Sequence, residues 1–287
     1  MYLDKENRKW FKVGLHIHTS VSDGRLSPED VKKRYREAGF DVIALTDHWK
    51  FGEGEKDEGL TVLSGAEYNV GGGDTSGLVM HIVGVNMKYD PQMPEDADPQ
   101  TVIDKIGEAG GIAILAHPAW SLNTPEMILP LHGFSALEIY NSVSDVGMSF
   151  RPYSGYITDI LANKGYILPL IATDDTHYYE GEDDCVSYIM VEAESNSADD
   201  IISSIKEQRF YATQGPKLYA RREGDKIAVD CSEAKRVCFV SGVAWSHRVF
   251  KNTTHAEYTP QDYEKWVRVE VETFDGKFAW SNIFDFR

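Results

Sequence analysis

Short apolar runs alternate with amphipathic segments over the first two thirds of this 287-residue chain. The runs consist mostly of Val, Ile, Leu and Ala without polar alternation, which is typical of strands buried on both faces of a parallel sheet. The predicted strands are Val13–His18, Asp41–Asp47, Val62–Glu67, Val79–Asn86, Gly111–His117, Ala136–Tyr140, Ile167–Thr173 and Ser187–Glu192.

Helices are predicted between these strands. The first has Ser27 as its N-cap, Pro28 in its first turn and Gly39 just past its end. Similar helices are expected at Pro99–Ala109, Thr124–Leu131, Tyr153–Lys164 and Ala198–Gln208. Repeated strand–helix alternation predicts parallel βαβ units, and therefore an α/β fold.

The pattern changes after Gly215-Pro216. Segments such as KWVRVEVETFDGKFAW alternate apolar and polar residues around Asp-Gly and Gly-Asp turns, which favours antiparallel strands with one solvated face. We therefore expect two domains, an α/β domain at 1–217 and a small antiparallel β domain at 218–287.

Charge narrows the possible partners. The net charge is −17, and residues 218–287 contain 11 basic and 11 acidic side chains, so the whole excess lies in 1–217. Such a surface repels polyanions, which argues against stable binding of duplex nucleic acid. No apolar run approaches the roughly 18 residues that span a bilayer, and the first residues lack the apolar core of a signal peptide. We expect a cytoplasmic protein without a membrane partner, in which Cys185, Cys231 and Cys238 are free thiols.

Histidines and acids concentrate at the ends of the predicted strands. Taken singly, each has an ordinary explanation: His16-x-His18 could be a surface pair, Asp23 a turn residue, and His81 or His117 a buried imidazole bonded to a carbonyl. Their coincidence is the signal, because active sites of β/α barrels lie at the carboxyl ends of the strands. Imidazole and carboxylate without cysteine suit Zn, Mn, Fe or Ni. The residues concerned are His16, His18, Asp23, Asp47, His48, Glu67, His81, His117, Asp174, Asp175 and His177, whereas His132, His247 and His255 lie outside the pattern.

In order and spacing these residues resemble the PHP family, named for its polymerase and histidinol phosphatase members. The matching stretches are LHIHTSVSDG, VIALTDH, GAEYN, HIVGVN, AHP and DDTH, which together cover about residues 1–215. The resemblance implies a distorted (β/α)7 barrel that holds two or three divalent metal ions, with Mn, Zn and Fe all open, and that hydrolyses phosphate esters. The substrate implied is a small phosphorylated molecule or nucleotide, and its identity is open, as is the oligomeric state.

The resemblance also assigns roles to residues. The metal ligands that it implies are His16, His18, Asp23, His48, Glu67, His81, His117, Asp175 and His177, with Asp174 as the alternative to Asp175. Glu67 would bridge two metals, and Asp47 would lie behind a ligand and orient its imidazole. A hydroxide held between the metals would attack phosphorus, so no separate catalytic side chain is expected.

Two arginines are candidates for binding the substrate phosphate. Arg25 and Arg151 are the basic residues nearest in sequence to the loops that carry ligands. An exposed loop arginine without a ligand is the ordinary alternative for both.

Two other functions compete with this interpretation. An amidohydrolase-type metal hydrolase also begins with H-x-H on a β/α barrel, but it often uses a modified lysine where Glu67 stands here. A non-catalytic metal-binding or interaction protein, acting through its β domain, is the alternative from a different class.

Overall fold

The computed structural model describes residues 1–72, 78–146, 148–244 and 248–287. Its fold is mixed α/β and rich in strands. The strands are β1 Tyr2–Leu3, β2 Lys9–Gly14, β3 Val42–Ala44, β4 Glu55–Asp57, β5 Leu60–Leu63, β6 Gly65–Val70, β7 Met80–Val85, β8 Ile112–Leu115, β9 Phe134–Asn141, β10 Leu170–Thr173, β11 Tyr188–Glu192, β12 Phe210–Thr213, β13 Leu218–Glu223, β14 Lys226–Ser241, β15 Val249–Tyr258, β16 Trp266–Glu272, β17 Phe278–Trp280 and β18 Phe284–Asp285. The helices are α1 Pro28–Glu37, α2 Pro99–Glu108, α3 Pro125–Ile128, α4 Val143–Val146, α5 Gly155–Asn163 and α6 Ala198–Lys206.

The strands of the described residues form two sheets and no closed barrel, so the distorted (β/α)7 barrel that the resemblance implies is not confirmed. The large sheet runs β13-β14-β16-β17-β12-β11-β2-β3-β5-β4, with β1, β15 and β18 added at its sides, and the small sheet runs β10-β9-β8-β7-β6. Isolated parallel bridges connect the two sheets at Ile17–Thr176 and at His48–Glu67. The first bridge lies between predicted site residues in sequence, and the second joins two of them.

One strand of the small sheet runs against the prediction of parallel units. Strand β7 pairs antiparallel with both β6 and β8. Only residues 71–79 separate β6 from β7, whereas a parallel crossover needs about a dozen residues or more. Because β7 is reversed, its amino-terminal end with His81 lies at the same edge as the carboxyl end of β6.

The helix signals are confirmed more closely than the strand boundaries. Ser27 accepts a hydrogen bond from the Asp30 amide at the start of α1, and Gly39 has a φ of +78° just past its end. Strand limits are less accurate: the predicted Val62–Glu67 strand spans the end of β5 and the start of β6. The predicted Ser187–Glu192 strand exists as β11, but it pairs antiparallel with β2.

The C-terminal strands are antiparallel, as predicted, but their sheet does not stop at residue 218. Strand β17 pairs with β12, so the large sheet continues from one predicted domain into the other. Trp266 and Trp280, both about 1% exposed, belong to the same apolar core as β2 and the small sheet. The C-terminal strands therefore support the part of the molecule that carries the site.

Candidate metal centre

The predicted ligands come together where the two sheets meet. His16 and His18 follow β2, His48 follows β3, Glu67 lies in β6 and His81 in β7. His117 follows β8, while Asp175 and His177 follow β10. All are buried except His48, which is partly exposed, and Asp23, whose side chain is 53% exposed.

Eight of the nine predicted ligands form three overlapping groups that could each hold a metal ion. The outer group consists of His18, Asp23, His48 and His177, the inner group of His16, His18, Glu67 and Asp175, and the lateral group of His48, Glu67 and His81. Within each group the donor atoms lie within 4.8 Å of one another. His18, His48 and Glu67 each belong to two groups, so they connect the whole centre.

Glu67 lies in the middle of the imidazoles. Its Oε2 is 3.1 Å from His18 Nε2 and 3.3 Å from His48 Nδ1, and its Oε1 is 2.9 Å from His81 Nδ1. Burial raises the pKa of this carboxyl, but the surrounding imidazoles, led by His16, outweigh burial and hold the pKa well below its usual range. Glu67 is therefore an anion whose two oxygens face different groups.

The two neighbouring aspartates have different surroundings. Asp175 Oδ1 lies 3.1 Å from both His16 Nε2 and His18 Nε2, whereas Asp174 accepts hydrogen bonds from the Tyr35 hydroxyl and from the amides of residues 185–187. Burial is the main cause that raises the pKa of Asp174 to about 7. Asp175 is the acid that faces the centre, and Asp174 holds the loop after it.

His117 is the predicted ligand that belongs to none of the three groups. Its Nε2 lies 3.4 Å from Glu67 Oε1 and 3.6 Å from Asp175 Oδ2, so it borders the centre. Its φ of 26°, like the φ of 53° at Asp175, falls in the left-handed region that non-glycine residues rarely adopt. Such strained backbone concentrates at functional sites, and here it occurs where two strands end beside the centre.

Asp23 reaches the centre through a sharply folded loop. Its carboxylate oxygens lie 3.4 Å from His177 Nε2 and 3.8 Å from His48 Nε2. A Cβ on Gly24 would lie 2.7 Å from the carbonyl carbon and oxygen of His18, so no larger residue fits without movement of the loop. The close approach of Gly24 to the end of β2 is what aims Asp23 at the outer group.

The sequence predicted that Asp47 orients a ligand imidazole, but among the described residues no imidazole bonds directly to its carboxylate. Within the described residues its carboxylate accepts hydrogen bonds from the amide and hydroxyl of Thr19 and from the amide and hydroxyl of Ser22. The Ser22 hydroxyl is in turn 3.0 Å from Asp23 Oδ1. Asp47 therefore fixes the loop that carries Asp23, because the polar end of β3 lies against that loop.

Sequence reasoning missed two buried acids that support the centre. Glu138 contacts His16 Nδ1, and Asp183 accepts hydrogen bonds from the consecutive amides of residues 177, 178 and 179. Both side chains are almost completely buried. A charged residue inside the apolar strand FSALEIYN was the available signal for Glu138, whereas Asp183 stands in an acidic loop and had no such signal.

The two predicted phosphate-binding arginines lie at the rim. The Arg25 amide donates to the carbonyl of His177, while its guanidinium pairs with Glu180 and lies 4.9 Å from the Tyr178 ring centroid. Arg151 donates to the carbonyl of Trp120 at 3.1 Å, in the turn that follows His117. Both arginines belong to loops that lead away from the centre, and each side chain already contacts another residue of this chain.

The three histidines outside the pattern lie away from this centre where the structure describes them. His132 is exposed after α3, and His255 pairs with Asp230 in the C-terminal sheet. His247 lies outside the described residues. The cysteines Cys185, Cys231 and Cys238 are free thiols, as predicted.

The donor set fits metal ions. His16 Nε2 and His18 Nε2 lie 3.1 Å apart, and two nitrogen ligands of one tetrahedral zinc ion lie about 3.3 Å apart. Within the described residues, His48 Nδ1, His81 Nε2 and Asp175 Oδ1 are buried without a hydrogen-bond partner. An unpaired buried polar atom costs about 1–3 kcal/mol, which a coordinate bond would offset.

The electrostatics of the centre favour added positive charge. Burial lowers the pKa of His18, but the adjacent carboxylates of Asp175 and Glu67 outweigh burial and raise the pKa to about 9. The carboxylates thus attract a positive charge to the imidazoles, which either a proton or a metal cation can supply.

A protein-family model matches this chain. The PHP domain model matches residues 14–181, which is more than half of the chain and includes every predicted ligand.

Two curated proteins are similar in sequence. An uncharacterised protein of Methanocaldococcus jannaschii is 31% identical over 124 residues, which cover 37% of this chain and 67% of that protein. A 5′-3′ exoribonuclease of Haemophilus influenzae is 30% identical over 160 residues, or 50% of this chain. The chain spans only 57% of the exoribonuclease.

A solved structure resembles the chain over almost its whole length. It is a two-domain protein from Bacteroides vulgatus that contains a predicted PHP-like metal-dependent phosphoesterase, and it aligns with a TM-score of 0.55 over 96% of each chain. The sequences are 16% identical, so the likeness is one of fold.

Proposed function

We propose that this chain, which belongs to the PHP family, hydrolyses phosphate esters with two or three divalent metal ions held by the strand-end residues. The observation that carries the proposal is the convergence of three donor groups on Glu67 and its neighbours, inside the matched residues 14–181. The proposed ligands are His16, His18, Asp23, His48, Glu67, His81, His117, Asp175 and His177.

The proposal gives each residue a chemical task. Glu67 would help to hold two of the ions, because its two oxygens face the inner and lateral groups, and Asp175, which faces His16 and His18, would help to hold one of them. When bound, divalent ions activate water and neutralise the oxygens of a phosphoryl group. Asp23 is the most exposed member, so the outer group is the proposed side of entry for the substrate.

We also propose that β2, β3 and β6–β10 act as one distorted seven-stranded barrel around the centre. The bridges Ile17–Thr176 and His48–Glu67 support this arrangement, because they join the edges of the two sheets beside the ligands. Residues 1–217 and 218–287 are the proposed domains. No helix among the described residues has the length and apolar character to cross a membrane.

The proposed substrate is a small phosphomonoester, and Arg25 and Arg151 are the proposed contacts to its phosphate at the rim. The excess of negative charge in 1–217 supports a small substrate over a polyanion. A second candidate is the 5′ end of an RNA chain, which the similarity to the Haemophilus influenzae exoribonuclease favours.

The test combines metal analysis with a substrate panel. Protein purified without chelator and reconstituted with Mn²⁺ or Zn²⁺ should contain at least two ions per chain by elemental analysis. The panel should contain phosphomonoesters, a nucleotide, a generic phosphodiester and a short 5′-phosphorylated RNA, each assayed with and without EDTA. Fewer than one ion per chain after reconstitution would exclude the multinuclear centre. Metal binding without hydrolysis of any member would favour the non-catalytic alternative.

A further inference from the structure

Glu138 is a buried acid in β9 of the small sheet, and the predicted ligand set does not include it. It is the only charged residue of β9, and its side chain is fully buried. A carboxylate in such a place needs partners for both of its oxygens, because burying it without them costs several kcal/mol. Those partners come from the ends of β2 and β8 and from the carboxyl end of β9 itself.

The contacts of Glu138 join the residues around the centre. Its Oε1 is 2.7 Å from His16 Nδ1, and its Oε2 accepts hydrogen bonds from the His117 amide at 2.9 Å and from Asn141 Nδ2 at 2.8 Å. Asn141 Nδ2 also lies 3.1 Å from Asp175 Oδ2. One carboxylate therefore ties together the ends of β2, β8, β9 and β10.

The contact between Glu138 and His16 favours one of the two ring nitrogens of His16 as the metal-binding atom. Glu138 Oε2 already accepts from two N–H groups, and a carboxylate that also accepts at Oε1 pairs with an N–H on Nδ1 of His16. In the neutral ring, Nε2 then carries the lone pair, and Nε2 is the atom that faces His18 Nε2, Glu67 Oε2 and Asp175 Oδ1 at 3.1–3.3 Å. The ring is thus prepared to bind through the correct atom.

We propose that Glu138 is a positioning residue for the metal centre, which fixes the tautomer and orientation of His16 and the place of Asp175 through Asn141. This inference rests on the proposed metal-dependent function. Glu138 itself does not touch the metal or the substrate, because its oxygens are occupied by His16, His117 and Asn141. Carboxylates behind a ligating imidazole act in this way in other metal sites.

The discriminating variant is Glu138→Gln, which keeps the size of the side chain. An amide group has one acceptor oxygen and one donor nitrogen, whereas all three partners of Glu138 present N–H groups to it. If the amide nitrogen faces His117 and Asn141, donors oppose donors. If it faces His16, the proton of the ring moves to Nε2 and blocks the metal-facing atom. Either arrangement weakens the inner group.

The matched control is Glu264→Gln. Glu264 is also a buried acid, 3% exposed, and it accepts hydrogen bonds from Ser241, Tyr258 and Arg248 in the C-terminal sheet, far along the chain from the ligands. Both variants lose a buried charge, but only Glu138→Gln disturbs His16. Thermal unfolding of both variants measures the part of the effect that is purely structural.

The first readout is zinc affinity by calorimetric titration of the metal-free protein of residues 1–287. We expect Glu138→Gln to raise the zinc dissociation constant about 10- to 100-fold, whereas Glu264→Gln leaves it unchanged. Wild-type affinity in a folded Glu138→Gln protein would overturn the inference and leave the proposed function standing. A wild-type protein that binds no zinc would overturn both.

The second readout does not depend on whether a variant folds. In zinc-loaded wild-type protein with ¹⁵N-labelled histidine, NMR correlation of ring nitrogens and protons identifies the tautomer of each imidazole. We expect a proton on Nδ1 of His16 and coordination through Nε2. A proton on Nε2, or coordination through Nδ1, would overturn the inference.

Discussion

At the scale of single residues, two carboxylates set the charge of the centre. Glu67 and Asp175 lie among the imidazoles of His16, His18, His48, His81 and His117 at distances of 2.9–3.6 Å. Each acid offers an oxygen to more than one ring, so neither can be replaced by a neighbour. A single substitution of either acid can therefore test its contribution to metal binding.

Glu67→Gln should remove most of the proposed phosphoesterase activity and leave the fold intact. The change preserves size but deletes the negative charge between two donor groups, so adjacent cations would repel each other without screening. We expect kcat to fall by about 100-fold or more, which is a part of the several kcal/mol that metal ions supply. Steady-state kinetics with metal analysis of the same samples measures this, and full turnover would exclude the bridging role of Glu67.

Asp175→Asn and Asp174→Asn form a matched pair with opposite expectations. Asp175→Asn should lower metal content, because Oδ1 faces His16 and His18. Asp174→Asn should keep metal content but lower the free energy of unfolding by about 1–3 kcal/mol, since its amide group would oppose the N–H donors of residues 185–187. Elemental analysis and urea unfolding distinguish the two, and the reverse result would make Asp174 the ligand.

Sequence alone predicted the site residues that follow apolar runs, since the end of a strand can be recognised without knowing its neighbours. It could not predict what Asp47 and Glu138 contact, because their partners come from other strands that are brought close only by the fold. Asp47 was placed against an imidazole and instead holds Thr19 and Ser22. Glu138 was assigned only to an apolar strand.

At the scale of elements, direction and connection decide where a ligand lies. The strand-end rule predicted carboxyl ends, yet His81 stands near the amino end of β7 and still faces Glu67. His81 nevertheless lies at the same edge as the carboxyl ends of β6 and β8, because β7 is antiparallel to both strands. Apolar periodicity locates a strand but does not give its direction, so only the short 71–79 connection could have indicated the reversal.

The loop that carries Asp23 is an element with a clear steric test. Gly24→Ala places a methyl group 2.7–2.8 Å from backbone atoms of His18 and Thr19, so the loop must move and Asp23 must leave the outer group. We expect a loss of stability of about 1–3 kcal/mol and weaker binding of the most loosely held ion, with the inner group retained.

The control for this variant is Gly107→Ala, since a Cβ on Gly107 meets nothing within 4 Å. Metal titration followed by elemental analysis should show one ion fewer in Gly24→Ala at limiting metal, and no change in Gly107→Ala. Unchanged stoichiometry and affinity in Gly24→Ala would mean that Asp23 is not a ligand.

At the scale of the whole molecule, the C-terminal strands and the site-bearing part share one sheet and one core. Trp280 stacks on Tyr140 with ring centroids 5.4 Å apart, and Tyr140 directly precedes Asn141 of the Glu138 network. The indole of Trp266 donates to Asn163 at the end of α5. The change in apolar–polar alternation and in charge along the chain predicted where the C-terminal strands begin. These patterns could not indicate that β17 would pair with β12, because that pairing joins segments more than sixty residues apart.

Arg268 is a buried charged link between the two proposed domains. It is 2% exposed, donates to Asp159 of α5 at 2.8 and 3.0 Å, and also pairs with Glu270. Removing one partner of a buried ion pair leaves an uncompensated charge, which costs about 3–5 kcal/mol when burial is complete. Because Asp159 is 28% exposed, water offsets part of that cost, and we expect about 2–3 kcal/mol here.

Arg268→Met should therefore lower the free energy of unfolding by this amount without changing the number of metal ions per folded chain, since every proposed ligand precedes residue 178. The control is Arg222→Met, an exposed arginine whose loss should change stability by less than about 0.5 kcal/mol. Urea unfolding with metal analysis of the folded fraction separates stability from ligation. If metal content falls together with stability in Arg268→Met, the C-terminal strands help to position the metal ligands. The proposed domain boundary at residue 217 then does not separate a stabilising domain from a metal-binding domain. If metal content and turnover per bound ion stay constant, the C-terminal domain stabilises the site-bearing domain from outside and contributes nothing to the reaction.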